Sequence, residues 1–394
     1  VGNPVRTVIV AALLGLLVQA DSVRQRLLEA EDARARTPAE VAVLEAGLGS
    51  ADTVIQRVAV RAVGRLEQPA WLGRLAAAFG SPAITVRLEA ANALAQAAHR
   101  QGADEAFRML RHQAAAHSDV RVQAALLMAA GRLQVSAALA PEAVEWLEAG
   151  LRAESQVVRA GAARGLYDHY RRANRGRAAS EEAVGHLRSM LRGEATPESR
   201  RVAMLALLTT GRLDSATVHG ALRDQDQQVR MLAAQAVRTH RDLPGRAALA
   251  GVAWRDSSHL VRIEAIRAIA SPGVREVLGC GPFAEALEDP SIHVQLLAIE
   301  ALGAGCPPAT QPVALLDRIA QEPVTAEAWH RPAAALHALA LADSARATIR
   351  IGRFASSPVW WARAAAARSA GRLHDRALLE RLAADPVDNV REAV

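Results

Sequence analysis

One phrase recurs along this chain, written most plainly at Ser118-Asp119-Val120-Arg121-Val122-Gln123-Ala124-Ala125 and closing at Gly131-Arg132-Leu133. An acidic or small residue opens it, Val-Arg follows, an Ala pair comes three and four residues after the Arg, and a Gly or small residue ends it. Aligning the Arg of each copy gives Arg57, Arg87, Arg121, Arg159, Arg200, Arg230, Arg262, Gln295, a degenerate copy near Arg331, Arg363 and Arg391, spaced about 28 to 41 residues apart. A period in that range with two helices per copy is the signature of stacked helical hairpins. Each hairpin alone cannot bury its apolar stripe, and its neighbours complete the cover.

The rest of the sequence agrees with an all-α chain. Prolines cluster at the joints (Pro69, Pro82, Pro141, Pro197, Pro244, Pro272, Pro282, Pro290, Pro358), as the missing N–H and fixed φ of proline require. Pro332 falls inside a copy and is expected in the first turns of its helix or at a kink. No alternating β-branched stretch is long enough for a strand. Apolar residues make up 51% and aromatics only 3%, which suits thin helices packed through Ala. The expected fold is a right-handed α-solenoid of about eleven helix pairs.

Within the phrase, Val at −1 and Ala at +3 from the Arg share a helix face. The acidic residue ahead (Asp119, Asp226, Asp256, Asp289, Asp388) is placed to cap the helix N-terminus. The phrase resembles the second helix of HEAT repeats, and the resemblance covers essentially everything after the first 20 residues. It implies that Asp and Arg of successive copies bond along the stack, so Arg57, Arg87, Arg121, Arg159, Arg200, Arg230, Arg262, Arg363 and Arg391 are expected to form a structural ladder. It also implies that second helices line the concave side. Positions +2, +5 and +9 from the Arg should then face outward there: Glu89, Asn92, Gln96, Gln123, Arg164, Asp168, Gln235, Thr239, Glu264, Arg267, Glu300, Arg368 and Arg372. That set is polar and of mixed sign, which favours a protein or peptide ligand over a polyanion, whose groove would be uniformly basic.

Residues 1–20 read as a signal peptide: Arg6, an apolar run from Val8 to Val18, then Ala20 before charged helix. The run is shorter than the ~20 residues of a membrane span. The competing reading is a capping helix retained on the protein, which would leave the chain cytoplasmic; otherwise it is exported, periplasmic or extracellular. Residues 21–394 form the repeat region, and the last copy, from Asp385, reads as cut short. A narrower resemblance lies in Leu27-Leu28-Glu29-Ala30-Glu31-Asp32-Ala33-Arg34 and Ala62-Val63-Gly64-Arg65-Leu66. These are similar to the start of exported bacterial proteins that carry HEAT repeats ahead of a cyclophilin-type peptidyl-prolyl isomerase. No cyclophilin catalytic segment stands in this sequence, so no catalytic residue is carried over.

Other chemistry is thin. His112 and His117 are five apart, His330 and His337 seven, neither placing two imidazoles on one helical turn; no metal or cofactor is expected. Gly303-Ala304-Gly305 follows a helix and reads as a helix stop. Charge is 47 basic against 41 acidic residues, net +6, and every basic residue is Arg. The Arg-only usage looks like a genomic coding bias, so Arg at any one site is weak evidence for bidentate recognition. Nucleic-acid binding or base excision on a HEAT-like scaffold would need a basic groove with aromatics, which the mixed signs disfavour. The most basic stretch, Tyr167 to Arg177, holds both tyrosines, Tyr167 and Tyr170, with Arg171, Arg172, Arg175 and Arg177. Falling at the longest interval, it is expected to be an extended loop. Cys280 and Cys306, the only two cysteines, flank the eighth hairpin and would close it as a disulfide in an exported protein.

Overall fold

The computed structural model describes residues 22–173, 179–194, 196–240, 242–305 and 310–394. The chain divides into two compact units, up to Arg212 and from Leu213 onward. The first unit holds α1 (22–32), α2 (Pro38–Leu48), α3 (Thr53–Arg65), α4 (Leu72–Ala77), α5 (Ile84–Ala97), α6 (Ala103–Ala116), α7 (Val120–Arg132), α8 (Ala140–Gly150), α9 (Gln156–Ala173), α10 (Glu181–Gly193) and α11 (Pro197–Thr210). The second holds α12 (Ser215–Ala221), α13 (Gln227–Thr239), α14 (Arg246–Trp254), α15 (His259–Ile269), α16 (Pro272–Leu278), α17 (Gly281–Ala286), α18 (Ile292–Gly303), α19 (Thr310–Ile319), α20 (His330–Ala342), α21 (Ser344–Ala355), α22 (Trp360–Leu373), α23 (Arg376–Leu382) and α24 (Asp388–Arg391). No strand occurs among the described residues. The helices pair as α2/α3, α4/α5, α6/α7, α8/α9 and α10/α11 in the first unit. In the second they pair as α12/α13, α14/α15, α17/α18, α19/α20 and α21/α22, with α23 and α24 both against α22 and α16 as an extra short helix. Second helices lie against one another in a row: α3, α5, α7, α9, α11 in one unit and α13, α15, α18, α20, α22 in the other.

Small residues let those rows close up. Gly131 ends α7 where a Cβ would strike the backbone of Gly165 on α9, and at Gly161 a Cβ would stand 2.7 Å from the Ala124 Cα. Gly64 against Ala93 and Gly303 against Ala338 repeat the arrangement at 2.7 Å. Leu126, Leu147, Leu166, Ala129 and Ala163 fill the layer between, all fully enclosed. Pro332 sits in the first turn of α20, where no intrahelical N–H is needed.

A second device fixes most of the hairpins. Among the described residues, on nine of the second helices one side chain reaches back to the loop carbonyl six residues before it. These are Arg87, Gln123, Arg159 and Arg200 in the first unit, and Arg230, Arg262, Gln295, Arg363 and Arg391 in the second, with distances of 2.6–2.9 Å outside the shorter Gln123 contact to His117 O. Six residues earlier is also where the acidic partner of the preceding hairpin stands. Arg230 chelates Asp256 at 2.7 and 3.1 Å, Arg262 chelates Asp289 at 2.7 and 2.7 Å, and Arg363 chelates Asp385 at 2.6 and 3.0 Å. Arg159 meets Glu194 at 2.7 Å.

This geometry corrects two ladder assignments. Arg121 folds back onto Asp119, two residues away, and the ladder place in α7 belongs to Gln123, bonded to the Ala114 and His117 carbonyls. In α3 the place four residues after the N-cap Asp52 is held by Gln56, which donates to Leu48 O at 3.0 Å and accepts from Ser81 Oγ at 2.8 Å. Arg57 is exposed instead. Among the acidic residues expected to cap, Asp119 and Asp226 do so. Asp256 and Asp289 stand two residues ahead of the N-caps Ser258 and Ser291, and Asp388 lies inside the first turn of α24.

Three outcomes are expected. Gly131→Ala should lower stability by about 1–3 kcal/mol through overpacking against an immovable backbone. Gly73→Ala, where nothing lies within 4 Å, should raise it by about 0.5–1 kcal/mol; equal thermal shifts would contradict the packing argument. Arg262→Met leaves the nearly enclosed Asp289 without its counter-ion and should cost about 3 kcal/mol, part of which Asp289→Asn in the same chain restores. Burial alone would raise the Asp289 carboxyl, but the Arg262 and Ser291 bonds outweigh it and hold it below its ordinary value. Asp385 is held low first by Arg363. Depressed folded-state values mean that this stabilisation is present above roughly pH 4 and is lost as pH falls further. Denaturant midpoints measured from pH 6 downward check the sign.

Candidate functional site

The ladder fixes the rotation of the second helices that carry it, and so decides which of their side chains face away from the first helices. Counting from the true ladder residue, positions +2, +5 and +9 of α5 are Glu89, Asn92 and Gln96. In α9 they are Gly161, Arg164 and Asp168. In α7, anchored by Gln123, they are Ala125, Met128 and Arg132. Glu89, Asn92, Ala125, Met128, Arg132, Arg164 and Asp168 line one cleft of about 450 Å³ in the first unit, together with Arg57, Thr85 and Leu88. Gln96 lines a smaller neighbouring hollow of about 210 Å³ with Glu67, His99, Arg132 and Arg172.

Gln123 was expected on this face and is not there, because it serves the ladder. Asp168 reaches the cleft wall but is 5% exposed, engaged by Arg164 Nε at 3.3 Å and Arg171 at 3.8 Å. Arg132 and Met128 were missed from the sequence. They become visible only when the copy is registered on Gln123. Arg132 Nη1 donates to Asn92 Oδ1 at 2.7 Å, and its Nε is enclosed with no hydrogen-bond partner. Burial pulls the guanidinium below its ordinary value, Asp168 opposes that, and Arg172 and Arg164 add to it.

The basic stretch is not an extended loop up to its middle. Tyr167 to Arg172 form the last turns of the 18-residue α9, while Arg175 and Arg177 lie outside the described residues. The Tyr167 ring is flanked by the Arg164 and Arg171 guanidiniums at 5.4 and 5.7 Å, as cation–π contacts require. Arg172 turns inward to the Arg132 carbonyl at 2.9 Å. Burial pushes the Tyr170 phenol up to about 12. The stretch therefore braces the cleft wall.

In the second unit the same face carries charge in alternation. Arg238 of α13 meets Glu264 of α15 at 2.9 Å, and Arg267 meets Glu264 at 2.7 Å. Thr239 hydroxyl donates to the Gln235 carbonyl at 2.9 Å. Further along, Glu300, Arg368 and Arg372 are exposed around His337, whose imidazole is held below 6.5 first by partial burial and then by Arg368 and Arg372, against Glu300. In the same unit Trp361 stacks on Trp329 at 5.6 Å and meets the tilted Trp360 ring at 4.9 Å. Half of the six tryptophans thus gather at one place, which composition alone could not show.

Among the described residues no group of three or more His, Cys, Asp or Glu is placed to hold a metal, and no helix is long and apolar enough to cross a membrane. Cys280 stands at the start of α17; Cys306, its expected mate, lies outside the described residues, as do residues 1–20.

No family model matches the chain, and no curated protein is similar to it in sequence. Solved structures are similar in fold. Kap95p, whose binding induces the switch loops of RanGDP to adopt the GTP-bound conformation, superposes with a TM-score of 0.50 at 12% identity, over 91% of this chain. The chain spans 61% of that protein's length. An engineered protein gives 0.42 at 19% identity over 89% of this chain and 96% of its own, and YibA of E. coli gives 0.47 at 17% over 72% and 92%. The likeness to Kap95p, a karyopherin, agrees with the all-α, HEAT/armadillo-like repeat fold described above.

The juxtaposition around His337 is directly measurable. In R368Q the His337 imidazole should titrate closer to its ordinary 6.5 when followed by NMR, because one like charge is removed. An unmoved titration would mean that the two side chains do not share this face.

Proposed function

We propose that the chain is a non-catalytic scaffold that holds a protein or peptide partner along the outward face of its second helices. The observation that carries this is the alternation of sign on that face: Arg238, Glu264 and Arg267, then Glu300 against Arg368 and Arg372. A polyanion would meet carboxylates at every second step, whereas a folded partner or peptide can match such a pattern side chain by side chain. Kap95p, which shares the fold, binds a protein, RanGDP.

A photocrosslinking amino acid in place of Thr239, Arg267 or Arg368 should capture a protein. The same group in place of Ile349, 73% exposed on the first helix α21, should not. Equal capture at all four positions, or capture of nucleic acid alone, would sink the reading.

Its finer form is an exported bacterial protein, which rests on Arg6 and the Val8–Val18 run. Expressed with these residues, the mature chain should begin at Asp21 by mass spectrometry, and retention of residues 1–20 would contradict export. In that setting Cys280 and Cys306 would be bonded, and fewer than two thiols should react in the denatured, unreduced chain. A second reading, favoured by the Leu27–Arg34 and Ala62–Leu66 resemblance, makes these repeats the leading part of a cyclophilin-type isomerase. A longer product of the same gene would then catalyse prolyl isomerisation, and a continuing sequence without a cyclophilin segment would end that reading.

A further inference from the structure

The cleft of the first unit has a chemistry of its own. Leu88, Ala125 and Met128 give it apolar walls, and Met128 is 41% exposed. Three guanidiniums line it: Arg57, Arg132 and Arg164. Their counter-charges are unequal to the task. Asp168 is enclosed and already shared between Arg164 and Arg171, and Glu89 accepts from Asn92 at 3.0 Å. Arg57 is exposed and makes no hydrogen bond or ion pair among the described residues. The Arg132 guanidinium is hydrogen-bonded only to Asn92, with its Nε enclosed and unpaired. A guanidinium does not relieve such a position by losing its proton; a carboxylate does so by supplying charge and acceptors together.

We propose that this cleft anchors an acidic-apolar peptide segment, a Glu or Asp side chain set between Arg57 and Arg132 with the adjacent apolar side chain against Met128 and Leu88. The volume of about 450 Å³ lies in the range of pockets that enclose small ligands, about 300–1,000 Å³, and accommodates a short run of side chains but no folded domain. Glu89 and Asp168 in the same wall set a boundary: they repel a continuous phosphate backbone while leaving room for one carboxylate. The proposal deepens the scaffold reading and rests on it, naming the chemistry of the partner segment at this place.

The test uses the full chain and three fluorescein-labelled peptides, alternating Glu-Leu, Gln-Leu and Lys-Leu, with a single-stranded oligonucleotide beside them. Fluorescence anisotropy should show the Glu-Leu peptide binding at least about tenfold tighter than Gln-Leu, since each charge-assisted bond is worth roughly a factor of ten or more, and Lys-Leu weakest. Arg57→Gln should weaken Glu-Leu several-fold without changing Gln-Leu, and Arg132→Met should remove the preference. Met128→Ser should weaken both peptides. Arg267→Gln, in the other unit, should change none of these. Should Arg132→Met fail to fold by circular dichroism, Arg57→Gln carries the test, because Arg57 is exposed and makes no hydrogen bond or ion pair among the described residues.

Equal binding of Glu-Leu and Gln-Leu, tighter binding of Lys-Leu or of the oligonucleotide, no binding of any peptide, or no effect of Arg57→Gln would each overturn the assignment. Crosslinking at Arg267 and Arg368 separates this from the wider reading. If it persists while the peptide result fails, the cleft assignment falls and the scaffold stands. If both fail, the scaffold falls too.

Discussion

Most of the hairpins depend on one bond: a long donor on the second helix satisfying the carbonyl of the turn that leads into it. A chain that turns sharply between two antiparallel helices leaves the carbonyls at the end of the first without intrahelical partners. Buried, such groups cost about 1–3 kcal/mol each when left unmet. Arg87, Arg159, Arg230, Arg262 and Arg363 each take two successive loop carbonyls. Their remaining nitrogens are then directed along the row, and where the next turn carries an acid, they chelate it. Turn satisfaction comes first, and the ion-pair ladder follows from its leftover valence.

That order explains where the ladder has gaps. Gln123 and Gln295 keep the bond to the turn but have no guanidinium fork to chelate an acid onward; Gln295 Oε1 instead accepts from Arg331 Nη1 of α20 at 3.3 Å. Arg87 has the fork, yet the corresponding place in the next turn is His117, which is turned towards Gln113 and packs on Phe79. Arg87 Nε is left enclosed and unpaired. Among the described residues the second unit keeps three bidentate Arg–Asp links in the ladder, and Arg350 of α21 chelates Asp317 of α19 as a fourth outside it, so its hairpins are tied by charge as well as by packing. In the first unit the work falls more on close contact, as at Gly131, Gly161 and Gly165.

The repeat period, the helix pairs and most of the joints were legible because they are set by composition at fixed spacing, which survives a residue or two of error. Facing was not. In Asp119-Val120-Arg121-Val122-Gln123 two donors stand two residues apart, and the more common ladder residue, Arg, is the wrong one. Asp119 captures Arg121 locally, which no spacing rule reveals. Two residues on a helix are a rotation of about 200°, enough to exchange the outward face for an inward one. Gln123 therefore left the outward set, and Met128 and Arg132 entered it. The Tyr167–Arg172 misreading has another source. The longest interval suggests an extended loop, whereas part of it is spent on an 18-residue helix, and length alone does not say which.

Arg132 shows what such a register does to chemistry. In α5 and α9 the +9 position carries Gln96 and Asp168, and in α7 it carries an arginine between them. Close packing at Gly131 and Gly165 brings α7 and α9 so near that Arg132 cannot swing free into solvent, and the Arg172 guanidinium lies against its carbonyl. The same small residues that allow the helices to stack thus hold a cation in a half-buried wall, beside an enclosed Asp168 that other arginines already claim. A surface that tight packing has charged in this way is not neutralised by the chain itself. Its pattern of unmet donors is fixed before any partner arrives, which is the condition under which charge contributes to selectivity and not merely to encounter.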